Sequence, residues 1–342
     1  MSSEPPILDV RDLRVWYGTE GLPVRAVDGV SFEIGAGETL GLVGESGCGK
    51  STLGRGVLGL LPDAAAVAGS VDYSGRELVG VPQREMREMR GPELGLIFQE
   101  PMTRLDPLQT IEKHFRETVR THDPDLDPEE VRRRSLESLA GMGIPRTRFG
   151  QYPHEFSGGM RQRIMIALAL VLEPKVLIAD EPTTALDVIV EAQILGILAD
   201  LRRNFDTAVL LITHNLGIVA EACNRVAVMY AGKIVEEGNA RDVFAAPAHP
   251  YTRELLRATI SLETTGLNYI PGAPPSLIDL PSGCRFHPRC PSAMAVCADR
   301  VPVEVAARGQ RVSCWLHGPE DQVPEGGRAP LKREEFRMAE EA

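Results

Sequence analysis

The 342-residue sequence predicts an α/β fold built on a mainly parallel β-sheet, and three observations carry the prediction. Short apolar runs such as TLGLV (39–43), KVLIAD (175–180) and AVLLIT (208–213) read as strands buried in a sheet interior. Helix-length stretches separate them, and alternating strands and helices require parallel strands joined by crossovers. The first run leads into GESGCGKS (44–51), a Gly-rich turn that opens a helix, the sequence form of a phosphate-binding P-loop.

Taken in order, residues 7–43 cluster apolar residues around Gly and Asp turns and read as several strands. Residues from about 101 to 152 change character: IEKHFRETVRTH and DPEEVRRRSLESLAGMG have helical periodicity bounded by Pro and Gly, the mark of a helical insertion. SGGMRQRIMIALALVLEP reads as a helix stopped by Pro174, KVLIADEP as a strand running into a turn, and VEAQILGILADLRRNF as a helix. The strand AVLLITH and a further helix follow. After about Gly238 the periodicity fades and proline rises, which marks a small loop-rich extension. The expected organisation is a main domain over 1–240, with its helical subdomain at about 101–165, an extension over 241–318 and a charged, frayed tail over 319–342. No internal repeat is seen.

A hydrophobic content of 43% suffices for a large core, and the formal charge of −11 disfavours a nucleic-acid partner. The longest apolar run, IMIALALVL (164–172), is under half a membrane span, and MSSEPPILDV reads as no secretory signal. The expectation is a soluble cytoplasmic chain, where clustered cysteines bind metal or act in redox chemistry more often than they form disulfides.

In the P-loop, glycines let backbone N–H groups curl round phosphate oxygens at a helix N-terminus. Gly44, Ser46, Gly47, Cys48, Gly49, Lys50, Ser51 and Thr52 form this set, with Lys50 reaching the β- and γ-phosphates and Ser51 ligating Mg²⁺. VLIADE places Asp180 at a strand end, where it can hold the Mg²⁺ hydration shell, and Glu181 beside it to orient an attacking water. In FSGGMRQR (156–163), Ser157 is a candidate N-cap and Gly158 and Gly159 permit close backbone approach. A second phosphate-binding helix terminus in one chain suggests two copies meeting around shared nucleotides.

These motifs together resemble the ATP-binding-cassette (ABC) ATPases over roughly residues 7–240. The resemblance implies a P-loop core with an antiparallel β subdomain and a helical subdomain. It places Tyr17 against adenine, with Trp16 as the neighbouring alternative, and Gln99 of LIFQEP at Mg²⁺, water and the membrane partner. It puts Asp187 of TTALD at the dimer interface and His214 of LLITHN at the γ-phosphate. Asn215 departs from the pattern, which has an aspartate there. IFQEPMTRLDPLQTI, DEPTTALDV, VAVMYAGKIVE and AHPYTRELL look more narrowly like the ATP-binding subunits of oligopeptide and dipeptide importers. That implies ATP and Mg²⁺, a second ATPase subunit (identical or related), two membrane permeases, an extracytoplasmic solute-binding protein and a place at the cytoplasmic face of the membrane. Nickel-chelate or oligosaccharide import, and a soluble ABC ATPase on ribosomes or DNA, are the competing readings; an iron–sulfur redox or sensor protein is a third.

Four of the six cysteines, Cys284, Cys290, Cys297 and Cys314, follow C-x₅-C-x₆-C-x₁₆-C. This lacks the tight pairs of structural zinc sites and differs from ferredoxin spacings. Spacing alone favours metal over unligated core thiols and names no metal. The resemblance of PGAPPSLIDLPSGCRFHPRCP to the peptide-importer extension implies a structural [4Fe–4S] cluster on those four. His287 reads as a turn residue, and Cys48 and Cys223 as packing.

Overall fold

The structure, a computed structural model, describes residues 5–18, 21–98, 105–183, 188–258 and 269–331. β1 (Leu8–Tyr17) and β2 (Val24–Ile34) pair antiparallel with Leu8 opposite Ile34, turning Leu8, Val10, Leu13 and Val15 inward. β3 (Thr39–Val43) enters a second sheet, and all five of its residues are buried. α1 (Lys50–Val57) follows, then β4 (Ala65–Tyr73), which returns to pair with β1, and β5 (Arg76–Glu77). The result is a four-stranded antiparallel sheet in the order β2-β1-β4-β5. α2 (Gln83–Met89) leads to β6 (Leu94–Ile97) at one edge of the central sheet.

The expected helical insertion is formed by α3 (Ile111–His122) and α4 (Pro128–Gly141). Thr110 caps α3 by accepting from the Lys113 N–H, and Asp127 caps α4 by accepting from that of Glu129. α5 (Gly158–Leu170) ends a turn before Pro174, where the chain passes through Glu173 at φ 52°. β7 (Val176–Asp180), α6 (Val188–Phe205), β8 (Ala208–Ile212), α7 (Leu216–Ala222), β9 (Arg225–Tyr230) and β10 (Lys233–Asn239) complete the alternation. α8 (Ala240–Ala245), α9 (Pro250–Ala258), α10 (Ala295–Asp299) and a hairpin of β11 (Glu304–Ala307) and β12 (Gln310–Ser313) lie in the extension.

The central sheet runs β11-β12-β10-β9-β3-β8-β7-β6, parallel from β9 to β6 and antiparallel beyond β9. Alternate residues of its strands feed two different cores. Leu40, Leu42, Ile178, Leu210 and Ile212 pack with β1 and β2, whereas Leu177, Ala179, Val209 and Leu211 pack with Phe115, Ile164 and Ile194. Burial on both faces is why these strands read as unbroken apolar runs. No described helix is long and apolar enough to cross a membrane.

The extension is joined to this sheet: β12 pairs with β10, Glu236 opposite Val312 and Glu237 opposite Arg311. Periodicity missed the hairpin because its strands are four residues each, too short for an alternation to stand out. The first part of the expected tail is also held, since Ala295 and Val296 donate to the Ala329 and Gly327 carbonyls and Leu331 donates to that of Ala293. Residues 332–342 lie outside the described residues. Glu237, only 2% exposed, accepts from Arg225 on β9 and Arg311 on β12, so one buried carboxylate ties the main domain to the extension. Removing it leaves Arg225 with Glu38 and the part-exposed Arg311 near Glu304, so both lose their shared partner without becoming buried unpaired charges. Glu237→Ala is therefore expected to lower the unfolding free energy by about 2 kcal/mol, read as a lower urea midpoint. An unchanged midpoint would mean that backbone pairing alone holds the hairpin.

Candidate nucleotide site

β3, β8 and β7 are neighbours, and Leu42, Asp180 and Ile212 share one register across them. Their carboxyl ends therefore deliver the P-loop, the Asp180–Glu181 pair and His214 to one rim, where open α/β sheets bind ligands. The turn out of β3 is shaped by close backbone approach. A Cβ on Gly44 would lie 2.2 Å from the Met229 carbonyl oxygen, and one on Gly49, at φ 108°, 1.9 Å from that of Ala26. No other residue fits at these two positions without moving a backbone.

Lys50, 6% exposed, folds back so that Nζ donates to the Gly44 carbonyl at 2.8 Å and to that of Glu45 at 3.0 Å. Ser51 Oγ donates to Asp180 Oδ1 at 2.9 Å, bringing the two expected Mg²⁺ ligands into contact. Burial pushes the Asp180 carboxyl above its usual range, opposed by the Ser51 hydrogen bond. A hydroxyl and a carboxylate at 5% exposure suit a divalent cation, which would stabilise the carboxylate charge where water cannot.

Glu181 adopts φ 49°, a left-handed conformation costly for a side chain with a Cβ. Its N–H donates to the Ile212 carbonyl at 2.9 Å, which fixes it to the end of β8. Its Oε1 lies 3.1 Å from His214 Nδ1. The glutamate is nearly buried, but the His214 side chain is 62% exposed, so the pair faces outward from one chain. Cys48 lies in the core at 6% exposure and contributes backbone to the P-loop.

Ser157 caps α5, accepting from the Met160 N–H at 3.4 Å, and with Gly158 it is exposed. A Cβ on Gly158 would meet nothing within 4 Å, so the helix terminus stands open. Tyr17 lies half-buried on a cleft of about 740 Å³ with Arg55, Leu60, Asp63 and Phe98. Trp16 is engaged elsewhere, its Nε1 donating to Asp28 and Arg25 lying over its ring. Gln99 and Asp187 lie outside the described residues.

Three partners had no local sequence signal. Gln162 Nε2 donates to the Pro182 carbonyl at 2.7 Å, tying α5 to the loop after Glu181. Tyr251 Oη accepts from the Glu45 N–H at 2.9 Å, and Arg289 holds the Glu45 carboxylate from 244 positions away.

The structure does not show the four extension cysteines drawn together as a ligand set. Among the described residues no group of three or more His, Cys, Asp or Glu is arranged to hold a metal ion. The thiols are spread over neighbouring apolar clusters: Cys290 with Tyr251 and Phe286, Cys297 with Met294 and Trp315, Cys284 against both of these, and Cys314 with Ala248 and Val312. Burial pushes Cys284 and Cys314 up to about 12 and Cys290 to about 11. For Cys314 the other three thiols add to the effect, so the four share one neighbourhood without closing on a point.

Comparison with known proteins agrees with this geometry. Residues 27–184 match the family model described as ABC transporter, and residues 235–297 that described as oligopeptide/dipeptide transporter, C-terminal region. The oligopeptide transport ATP-binding protein OppD of Salmonella typhimurium is 47% identical over 313 residues, covering 90% of this chain and 93% of that protein. The chain belongs to the ABC ATPases of the oligopeptide/dipeptide transporter family. The dipeptide transport ATP-binding protein DppD of Bacillus subtilis is 45% identical over 317 residues, covering 91% and 94% of the two chains. The fold of this ABC ATPase superimposes on a solved dimeric ATP-binding cassette in a post-hydrolysis state bound to ADP and Pi. That TM-score is 0.62 at 26% identity, over 68% of this chain and 99% of that one.

Asn215, the departure from the family pattern, has a local explanation in this ABC ATPase. It caps α7, its Oδ1 accepting from the Gly217 N–H at 3.0 Å and the Ile218 N–H at 3.4 Å. Asparagine serves as well as aspartate for this. Asn215→Ala is expected to cost about 1 kcal/mol in thermal or urea unfolding, while Asn215→Asp stays within about 0.5 kcal/mol of the parent. Equal losses in both would mean that the amide, and not the cap, is what the fold uses.

Proposed function

We propose that this chain is the ATP-hydrolysing subunit that powers a peptide importer from the cytoplasmic face of the membrane. The observation that carries the reading is the Glu181–His214 contact at 3.1 Å beside the Ser51–Asp180 pair, in a chain whose extension matches the peptide-transporter type. Lys50 and the P-loop N–H groups hold the phosphates, Ser51 and Asp180 would hold Mg²⁺ together with Gln99, and Tyr17 flanks the adenine. Mg²⁺ supplies charge neutralisation of the phosphates when bound. Glu181 orients water for attack on the γ-phosphate, which His214 steadies; the effect is positioning and charge stabilisation.

Two copies, or this chain and a related one, are proposed to close around ATP. The open Ser157–Gly159 terminus of each then faces the other's P-loop, and Asp187 lies at the seam. The solved cassette at TM-score 0.62 is dimeric, which supports this. Closure would reach two permeases through the Gln99 region and the helical insertion, with a solute-binding protein delivering cargo outside. The relatives' names favour peptides as cargo over nickel chelates or sugars, and the matched extension weighs against work on ribosomes or DNA. Glu181→Gln is expected to cut ATP hydrolysis by about 10²–10⁴-fold while keeping ATP binding, and to make the ATP-bound species elute as a dimer. Retained turnover would remove Glu181 from its role; a monomer with bound ATP would remove the dimer.

We also propose that Cys284, Cys290, Cys297 and Cys314 carry a structural [4Fe–4S] cluster. What supports this is the match of the extension to the peptide-transporter type and the approach of Cys284 to Cys297, whose carbonyl accepts from the Cys284 N–H at 2.8 Å. Anaerobically purified protein is expected to hold about four iron and four sulfide per chain, lost with its visible absorption in Cys290→Ser. Zinc without sulfide would replace the cluster by another staple, and no metal would leave four core thiols.

A further inference from the structure

Glu45 is the second residue of the P-loop and places a carboxylate on a loop built to receive an anion. Its backbone is held at both ends, the N–H donating to Tyr251 Oη and the carbonyl accepting from Lys50 Nζ at 3.0 Å. The carboxylate is gripped by Arg289 in a two-bond fork, Nη1 to Oε2 at 2.7 Å and Nη2 to Oε1 at 3.0 Å. Arg289 uses its other three N–H groups on the Pro271 carbonyl at 3.0 Å, the Ile270 carbonyl at 3.2 Å and Tyr230 Oη at 3.3 Å. All five guanidinium donors are therefore engaged, and the side chain is 5% exposed. Nothing in this arrangement is a loose surface ion pair. It is a rigid fork anchored on the extension and aimed at the P-loop, one residue before Cys290.

Without Arg289, the Glu45 carboxylate would be left unpaired on the residue whose carbonyl accepts from Lys50 Nζ at 3.0 Å. Lys50 would be drawn to its neighbour and away from the β- and γ-phosphates, and the bare carboxylate would repel them. We propose that Arg289 is a positioning residue for the nucleotide. It neutralises and orients Glu45 so that the P-loop and Lys50 are free for phosphate, and through it the C-terminal extension sets the ATP affinity of the chain. The inference rests on the ATPase site and is independent of what the cysteines hold.

The experiment uses the full chain and measures KM and kcat for MgATP hydrolysis and the Kd of a non-hydrolysable ATP analogue, with melting curves as a folding check. Arg289→Ala is expected to raise KM and Kd about tenfold, a change of about 1.4 kcal/mol, with a much smaller effect on kcat. Arg289→Lys recovers part of this, because a point charge neutralises but cannot fork. The decisive variant is the double one: Glu45→Gln in the Arg289→Ala background removes the freed carboxylate and restores most of the lost affinity. A double variant as weak as Arg289→Ala, an unchanged KM in Arg289→Ala, or a loss confined to kcat each overturns the proposal. Should Arg289→Ala fail to fold, Glu45→Gln alone decides. It leaves the Arg289 charge uncompensated beside the P-loop and must bind the analogue more tightly than the parent; equal or weaker binding overturns the charge role.

Discussion

The hydrogen-bond register across β3, β8 and β7 is the constraint on which the nucleotide site depends. Leu42 and Asp180 both pair at the level of Ile212, so the strands end together and their next residues meet on one rim. The register is itself locked by burial on both faces. Leu210 and Ile212 belong to the core shared with the antiparallel sheet, Val209 and Leu211 to the core shared with the helical insertion. A one-residue slip would exchange the two sets and separate Asp180 from Ser51. Core packing and catalytic geometry are thus one restraint.

On that rim the structure gathers the buried Lys50 and Asp180, the nearly buried Glu181 and the exposed His214. Lys50 rests on backbone carbonyls, Asp180 takes the Ser51 hydroxyl, and Glu181 sits in a left-handed backbone fixed to the end of β8. His214 faces outward, and the α5 terminus stands open.

The extension serves the same rim. β12 continues the central sheet, Glu237 lies between guanidiniums from both parts, and Arg285 bonds Asp28 on β2. The aromatic group of Tyr230, Tyr251 and Phe286 packs the extension against the strand beside the P-loop strand. Positions Tyr251 and Arg289 then reach Glu45 itself.

Much of this was legible in the chain because the signals are local. GESGCGKS, VLIADE, FSGGMRQR and LLITHN each join a strand or helix end to the group it presents, and backbone propensity and chemistry coincide within a few residues. Where the signal is short or spread, the sequence was silent: two four-residue strands are too brief for their alternation to stand out, and nothing near Arg289 marks a partner 244 positions earlier. The cysteine spacing named a candidate ligand set, but whether thiols converge depends on which apolar cluster each loop joins, and that is settled by packing. The sequence by itself determined the α/β class, the P-loop and the order of the candidate catalytic groups, since these follow from short-range pattern. Only the tertiary structure decided that Glu181 meets His214, that the extension completes the sheet and that it grips the P-loop, because contacts between distant residues are fixed by the shared burial of surfaces that no single segment contains.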